Sequence, residues 1–224
     1  MTTSARYDGI ADWYDGEFQP APLESETWDT LVGLLGNPSG ALLDVGCGTG
    51  TYAAALGGVG WDVTGVDLSE DMLRRAAAKG IRTIRADATA LPFDDASFDA
   101  AVSVFTHTDF DDFAGAVREI VRVLRPGAPF VYVGAHPCFV GPHSVYDGDR
   151  AAPELHPGWY RRTGRYDEAP GIWRGAGVRV RVGASHLPLG LFLQTFLDAG
   201  LRLERVEEPD EREYGFALGS RWRR

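Results

Sequence analysis

The sequence predicts an α/β fold, a mostly parallel sheet with helices on both faces, and three observations carry that reading. Short apolar runs alternate with helix-like segments from Ala41 to about Ala135, a glycine-rich turn follows the first run, and an aspartate stands at or just past the end of each of the first three. With 224 residues, 44% hydrophobic and 24% charged, the chain suits one globular domain carrying a sizeable insert, so residues 1–224 are expected to form a single domain.

The elements follow in order. Ala41 to Val45 (ALLDV) is an apolar run ending at glycines, as a strand buried on both faces does. Tyr52 to Leu56 starts a helix, and Asp62 to Val66 is a second strand. Ser69 to Lys79 is a helix closed by Gly80: Ser69 suits the N-cap, Glu70 and Asp71 occupy the first turn, and Arg74, Arg75 and Lys79 come later, the order a helix dipole favours. Ile81 to Ala86 and Phe98 to Phe105 are the third and fourth strands. Asp111 to Leu124 is an amphipathic helix stopped by Pro126-Gly127, and Phe130 to Gly134 is the fifth strand.

The rhythm breaks from Pro137 to His186. This stretch holds seven arginines (150, 161, 162, 165, 174, 179 and 181) against five acids, with Phe139, Tyr146, Trp159, Tyr160, Tyr166 and Trp173. A structureless loop of that length does not suit a compact domain, so residues 137–186 are expected to be an ordered insert that acts as a substrate lid. Within it, Val178 to Val182 (VRVRV) alternates as a strand would. Leu189 to Ala199 returns to helical spacing, and Leu201 to Val206 and Phe216 to Trp222 are two closing strands.

The formal net charge of -10 repels phosphate backbones, which argues against nucleic acid as a partner. The opening MTTSARYDGIADWYD lacks the apolar core of a signal peptide, and no apolar run reaches the roughly 20 residues of a membrane span. Cys47 and Cys138 do not make a disulfide framework, so a reducing cytoplasm is the expected compartment. No His or Cys spacing matches a zinc site, and no metal is expected.

Asp44-Val45-Gly46-Cys47-Gly48-Thr49-Gly50 joins a strand end to a helix. Glycines let the backbone turn sharply and approach a ligand. A dinucleotide-binding turn is spaced G-x-G-x-x-G, whereas this one is G-x-G-x-G with a carboxylate two residues ahead. Asp44 would repel a pyrophosphate and hold an ammonium, which disfavours a nicotinamide-dependent dehydrogenase. Asp67, 21 positions after Gly46, suits the two hydroxyls of a ribose, and Asp87 suits an adenine amino group.

These residues resemble the class I S-adenosylmethionine-dependent methyltransferases, in particular the small-molecule, UbiE-like (methyltransferase type 11) group. The resemblance runs from Tyr7 to Ala135 through Tyr7-Asp8-Gly9-Ile10-Ala11-Asp12-Trp13-Tyr14-Asp15, the glycine loop, Val66-Asp67-Leu68-Ser69, Ala86-Asp87-Ala88 with Leu91-Pro92-Phe93, and Val123-Leu124-Arg125-Pro126-Gly127, and more weakly from Pro188 onward. It implies a Rossmann-like sheet of seven strands, the last antiparallel, and S-adenosyl-L-methionine as cofactor, with S-adenosyl-L-homocysteine as product. It further implies that Gly46, Cys47, Gly48 and Gly50 lie along the methionine part, with Asp44 holding its amine. Asp67 would bind the ribose, Leu68 and Met72 would pack near the adenine, and Asp87 and Ala88 would contact it. Phe105 and Thr106 would lie below the cofactor, with Tyr7 and Tyr14 closing over it.

Methyl transfer to a protonated nucleophile is helped by a general base, and histidine suits that role near neutral pH. His136, just beyond the fifth strand, is the first candidate, followed by His107 and His143. The aromatic residues of the insert suit a planar acceptor and its arginines a carboxylate. The expected activity is therefore methylation of a small molecule at oxygen, nitrogen or carbon in specialised metabolism, by a monomer or homodimer; a non-catalytic S-adenosylmethionine-binding protein is the alternative.

Overall fold

The computed structural model describes residues 5–18, 25–145, 152–172, 177–209 and 214–224. A helical turn, α1 (Ala11–Trp13), runs on into a π-turn at Tyr14–Phe18, and α2 (Glu26–Leu35) precedes the first strand. Alternation then begins with β1 (Ala41–Val45), α3 (Thr51–Gly58), β2 (Asp62–Asp67), α4 (Glu70–Ala78), β3 (Arg82–Arg85), β4 (Ala100–Val104), α5 (Phe113–Val123) and β5 (Pro129–Ala135). The insert contributes β6 (Ser144–Val145), β7 (Glu154–Leu155), β8 (Gly164–Tyr166), α6 (Val178–Val182) and β9 (Ala184–His186). The chain closes with α7 (Leu189–Asp198), β10 (Arg202–Glu207) and β11 (Ala217–Arg223).

Seven strands form one sheet in the order β10-β11-β5-β4-β1-β2-β3. Pairing is parallel from β5 to β3, while β11 runs antiparallel to both β5 and β10. This is the expected Rossmann-like sheet of seven strands with its last strand reversed. The central strands β1, β4 and β5 are largely apolar because each has both faces covered. Leu42, Val131 and Val133 point into one core with Leu31, Leu34, Leu56 and Trp61. Their neighbours Leu43, Phe130 and Tyr132 point into the opposite core with Phe113, Val117, Phe192 and Phe196. Trp222 of β11 is fully buried there and stacks on Phe196 at 4.4 Å between ring centroids.

The elements anticipated for this sheet and its helices end within two residues of their expected bounds. α2 went unanticipated, although its buried Thr30, Leu31, Leu34 and Leu35 have helical spacing. It packs closely on β11, where a Cβ on Gly219 would come within 2.6 Å of Thr30 Cγ2.

One expectation is overturned. Val178 to Val182 is a short helix, not a strand. A strand would put its three valines on one face, yet Val180 is 50% exposed while Val178 and Val182, four residues apart, are buried. The chain leaves this turn through Gly183, at φ 66°, and β9 then pairs with β8. Tyr146, Arg150, Trp173 and Arg174 lie outside the described residues. Among the described residues no helix is long and apolar enough to cross a membrane.

Candidate active site

The carboxyl ends of β1, β2, β3 and β4 open onto a cavity of about 280 Å³, and a smaller one of about 30 Å³ lies beside it. The two share Tyr14, Gly46, Gly48 and Val104 in their walls. This is the crevice that an open α/β sheet offers a ligand.

The loop after β1 shapes the junction. Gly48, at φ 54°, leaves open space where a side chain would stand, so a ligand can approach its backbone. Gly50, at φ 76°, lines neither cavity; a Cβ there would come within 2.6 Å of Ala76 Cβ, so it allows α3 to seat against α4. Cys47 lines the smaller cavity, and burial, then Asp44 and Asp67, push its thiol well up, leaving it a protonated wall group rather than a nucleophile.

Asp44 is buried against the smaller cavity, and among the described residues its carboxyl accepts no hydrogen bond. Burial, then the nearby Asp67, push its carboxyl up to about 7. A cationic amine in that cavity would relieve both effects. Asp67 lines the larger cavity and is oriented by two backbone donors, Ser69 N at 2.8 Å and Gly48 N at 3.0 Å. Burial raises its pKa despite those donors, and each oxygen keeps lone-pair capacity for a vicinal diol. Asp87 accepts from the amide and hydroxyl of Thr89 through Oδ1, at 2.9 and 2.7 Å. It thus caps its own turn while lining the cavity beside Ala88. Leu68 and Met72 supply apolar wall, and Ser69 caps α4 by accepting from Met72 N at 3.3 Å.

Phe105 and Thr106 also line the larger cavity. Phe105 has a left-handed backbone at φ 56°, unusual for a bulky residue, and its N–H is bound to Val133 O at 2.8 Å. The N-terminal segment contributes to the wall: Tyr7 and Tyr14 meet edge-on at 5.7 Å, and both line the larger cavity. Tyr7 donates to Asp109 at 3.0 Å. Burial, then Asp109, hold both tyrosine hydroxyls in the protonated form.

The structure keeps the three candidate histidines off both cavities. His136 has both ring nitrogens engaged, Nε2 with Glu208 at 2.9 Å and Nδ1 accepting from Cys138 N at 3.1 Å. His107 is sealed in an aromatic cluster against the Tyr132 hydroxyl, where burial, then Arg179 and His186, push its pKa down to about 3. His143 uses Nε2 on Cys138 O at 2.7 Å and packs against Tyr160 and His186 inside the insert. Sequence reasoning placed them correctly after the fourth strand but could not see which way each ring turns.

It also missed residues that the structure brings in. Asp109, four residues past Phe105, lines the larger cavity; burial raises its pKa against the pull of Arg179, Tyr7, Arg6 and Arg165. Arg179 of α6 reaches it at 3.3 Å. The acidic run at Asp109, Asp111 and Asp112 was the available signal for the first. Arg179 was hidden by the strand reading of α6. Among the described residues no group of three His, Cys, Asp or Glu side chains is arranged to hold a metal ion.

Comparison with known proteins follows the same geography. A methyltransferase domain family matches residues 43–132. A demethylmenaquinone methyltransferase of Mycolicibacterium gilvum is 33% identical over 131 residues, 57% of this chain and 58% of that protein. Another, of Renibacterium salmoninarum, is 34% identical over 149 residues, 64% of this chain and 63% of that protein. The chain thus spans less than two thirds of the length of these curated relatives. An S-adenosylmethionine-dependent methyltransferase structure from Mesorhizobium loti has a TM-score of 0.74 at 27% identity, covering 90% of this chain and 99% of that one. A likeness along the whole fold thus coincides with a match to a methyltransferase domain family over the stretch that carries Asp44, Asp67 and Asp87, and in both comparisons the chain is similar to methyltransferases, the solved structure being one that depends on S-adenosylmethionine.

Proposed function

We propose that this protein transfers the methyl group of S-adenosylmethionine to a small organic acceptor, a specialised metabolite with a planar ring. The observation that supports this most directly is the pair of joined cavities. The smaller offers a buried carboxylate to an amino-acid end, the larger offers strand-end carboxylates to a nucleoside end, and Tyr14, Gly46, Gly48 and Val104 form the waist between them. When bound, the cofactor supplies an electrophilic methyl group on sulfur and leaves as a neutral thioether.

The chain's own residues then have distinct tasks. Asp44 holds the amine, Asp67 the ribose, and Asp87 with Ala88 the adenine edge. Tyr7 and Tyr14 cover the waist and limit water there, which protects the electrophile and strengthens the electrostatic interactions around it. Asp109 takes the place that the sequence assigned to a histidine: it lines the cavity, and its burial makes it a stronger proton acceptor than an exposed aspartate. Asp109 would thus receive a proton from an acceptor hydroxyl or amine. Residues 137–186 act as the acceptor-side lid.

The test is incubation with labelled cofactor and a metabolite panel, with release of S-adenosylhomocysteine as readout, beside calorimetry with S-adenosylhomocysteine. Labelled product and saturable binding are expected; no affinity for this compound in folded protein would overturn the reading. Binding without transfer to any acceptor would favour the non-catalytic alternative. Asp109→Asn should keep S-adenosylhomocysteine affinity within a few-fold and slow turnover by about 10²-fold or more. The names of the curated relatives favour a second reading, methylation of a demethylmenaquinone-type ring. A panel containing such a quinol separates the two.

A further inference from the structure

We propose that the insert is fastened by a proton-operated latch, shut while His107, His143 and His186 are neutral and released as they take up protons. The latch governs how residues 137–186 are held and does not depend on which acceptor the protein methylates.

One half lies within the insert. His143 and His186 stand 5.3 Å apart between ring centroids, and both pack against the Tyr160 ring. His143 Nε2 lies 2.7 Å from Cys138 O, and His186 Nε2 lies 2.9 Å from Tyr160 O. A carbonyl oxygen only accepts, so each Nε2 carries the proton and each Nδ1 a bare lone pair. Both Nδ1 atoms crowd Gly141, where a Cβ would come within 3.0 Å of each. These bonds close the insert on itself, joining its start, its middle and β9.

The other half is on the loop after β4. His107 sets Nδ1 against the Tyr132 hydroxyl, and Arg179 and His186 of the insert act on its ring. Next to it, Thr108 O accepts the Ser185 amide at 2.6 Å, and Asp109 meets Arg179 at 3.3 Å. The same loop carries Phe105, Thr106 and Asp109 into the wall of the larger cavity, so the state of the latch reaches the candidate site.

Among the described residues, four buried side-chain nitrogen or oxygen atoms have no hydrogen-bond partner: His107 Nε2, Thr108 Oγ1, His143 Nδ1 and Ser185 Oγ. All four belong to this seam. Buried polar atoms without partners are costly, so the shut seam is held less firmly than the sheet beside it, and opening would hand each atom to water.

Protonation acts on the same atoms. A proton added to His107 or His143 would leave a charged N–H with nothing to accept it, and one on His186 would put a charge beside His143. The groups facing the three rings are Tyr132 from β5, Arg179 from α6, Cys138 and Tyr160 of the insert, and the rings themselves. No carboxylate among the described residues acts on any of them. Burial, then Arg179 and His186, push His107 down to about 3. Burial pushes His186 down to about 4 against the pull of the Tyr160 carbonyl, with His143 adding to the fall, and burial lowers His143 despite its bond to Cys138 O. Opening would return each ring to water and its ordinary value of 6.5. The open form therefore binds more protons below that pH, and acid favours it. Each histidine that takes up a proton should raise the opening equilibrium about tenfold between pH 7.5 and pH 5.5.

The test is hydrogen exchange on the full chain at pH 7.5 and pH 5.5, with labelling times scaled to equalise the chemical exchange rate. Opening of residues 160–166 and 184–186 is expected to rise at least about tenfold, while the amides of β1, β4 and β5 change by less than about twofold. His143→Gln and His186→Gln keep an N–H donor at the reach of Nε2 but cannot titrate, and each should cut the rise severalfold. His156→Gln, beside Glu154 at the edge of the insert, should leave it unchanged. Ring NMR of the unaltered protein should find His107, His143 and His186 still neutral at pH 5.5, a reading that stands even if a variant fails to fold. Exchange in the insert that ignores pH, an equal rise in the sheet, a rise that survives both glutamine variants, or ordinary titration of the three rings in the shut protein would overturn the proposal.

Discussion

At the scale of single residues, Asp44 offers the sharpest test of the proposed cofactor site. Its carboxyl titrates near 7 in the folded chain, above its ordinary value of 3.8, because burial and Asp67 disfavour the charge. The folded state therefore binds this proton more tightly than the unfolded chain, so the stability due to Asp44 falls as pH rises from about 4 to about 7. A bound ammonium reverses the preference. Affinity for S-adenosylhomocysteine should thus rise about tenfold between pH 6 and pH 8, with proton release, as calorimetry in buffers of different ionisation enthalpy would register. Asp44→Asn should bind more weakly and lose that slope; a slope that persisted in the variant would assign it to another group.

At the scale of elements, α4 links the larger cavity to the N-terminal segment that walls it. Ser69 accepts from Met72 N at the helix start and donates to Asp8 in the N-terminal segment at 2.7 Å. Ser69→Ala should cost about 1 kcal/mol for the lost cap, or roughly 2–4 °C in melting temperature at this chain length. Hydrogen exchange should also speed up through residues 5–18, since one tie to α4 is gone. Ser69 was legible in advance because caps depend on local sequence, and so were the strands whose both-face burial writes them as apolar runs. That the strand-end carboxylates share one crevice was legible for a related reason: a parallel sheet places every strand end on one edge, so chain position predicts spatial neighbourhood. The acceptor side was not legible. VRVRV satisfies a two-residue and a four-residue period at once, and only tertiary surroundings, which bury Val178 and Val182 and bring Arg179 to Asp109, decide between them. Likewise, His107 and His136 sit just past β4 and β5, but tertiary partners, Tyr132 and Glu208, turn their rings away from the cavity.

At the scale of the molecule, the N-terminal segment walls the larger cavity through Ala5, Arg6, Tyr7 and Tyr14. The N-terminal segment is held to α4 through the Asp12–Arg75 pair and through Asp15, which takes Lys79 at 2.7 Å, and to the loop after β4 through Arg6–Asp111. It meets the insert where Arg181 stacks over Trp13 at 4.1 Å. These ties are largely ionic and solvent-facing, and screening shortens their reach from about 10 Å at 0.1 M salt to about 3 Å at 1 M. Raising salt to 1 M should therefore accelerate exchange in residues 5–18 while the amides of β1, β4 and β5 stay protected, and saturation with S-adenosylhomocysteine should oppose the change. Equal acceleration in the sheet would mean that this segment and the core open together.

The backbone at Phe105 sets a limit on redesign. A left-handed conformation costs a residue of this kind about 1–3 kcal/mol, and glycine would recover much of it. The same exchange would strip an aromatic ring from the wall of the larger cavity and loosen the turn after β4. Thermostability and precise placement of the cofactor therefore pull this position in opposite directions, and a screen for heat resistance alone would be drawn to variants that work less well.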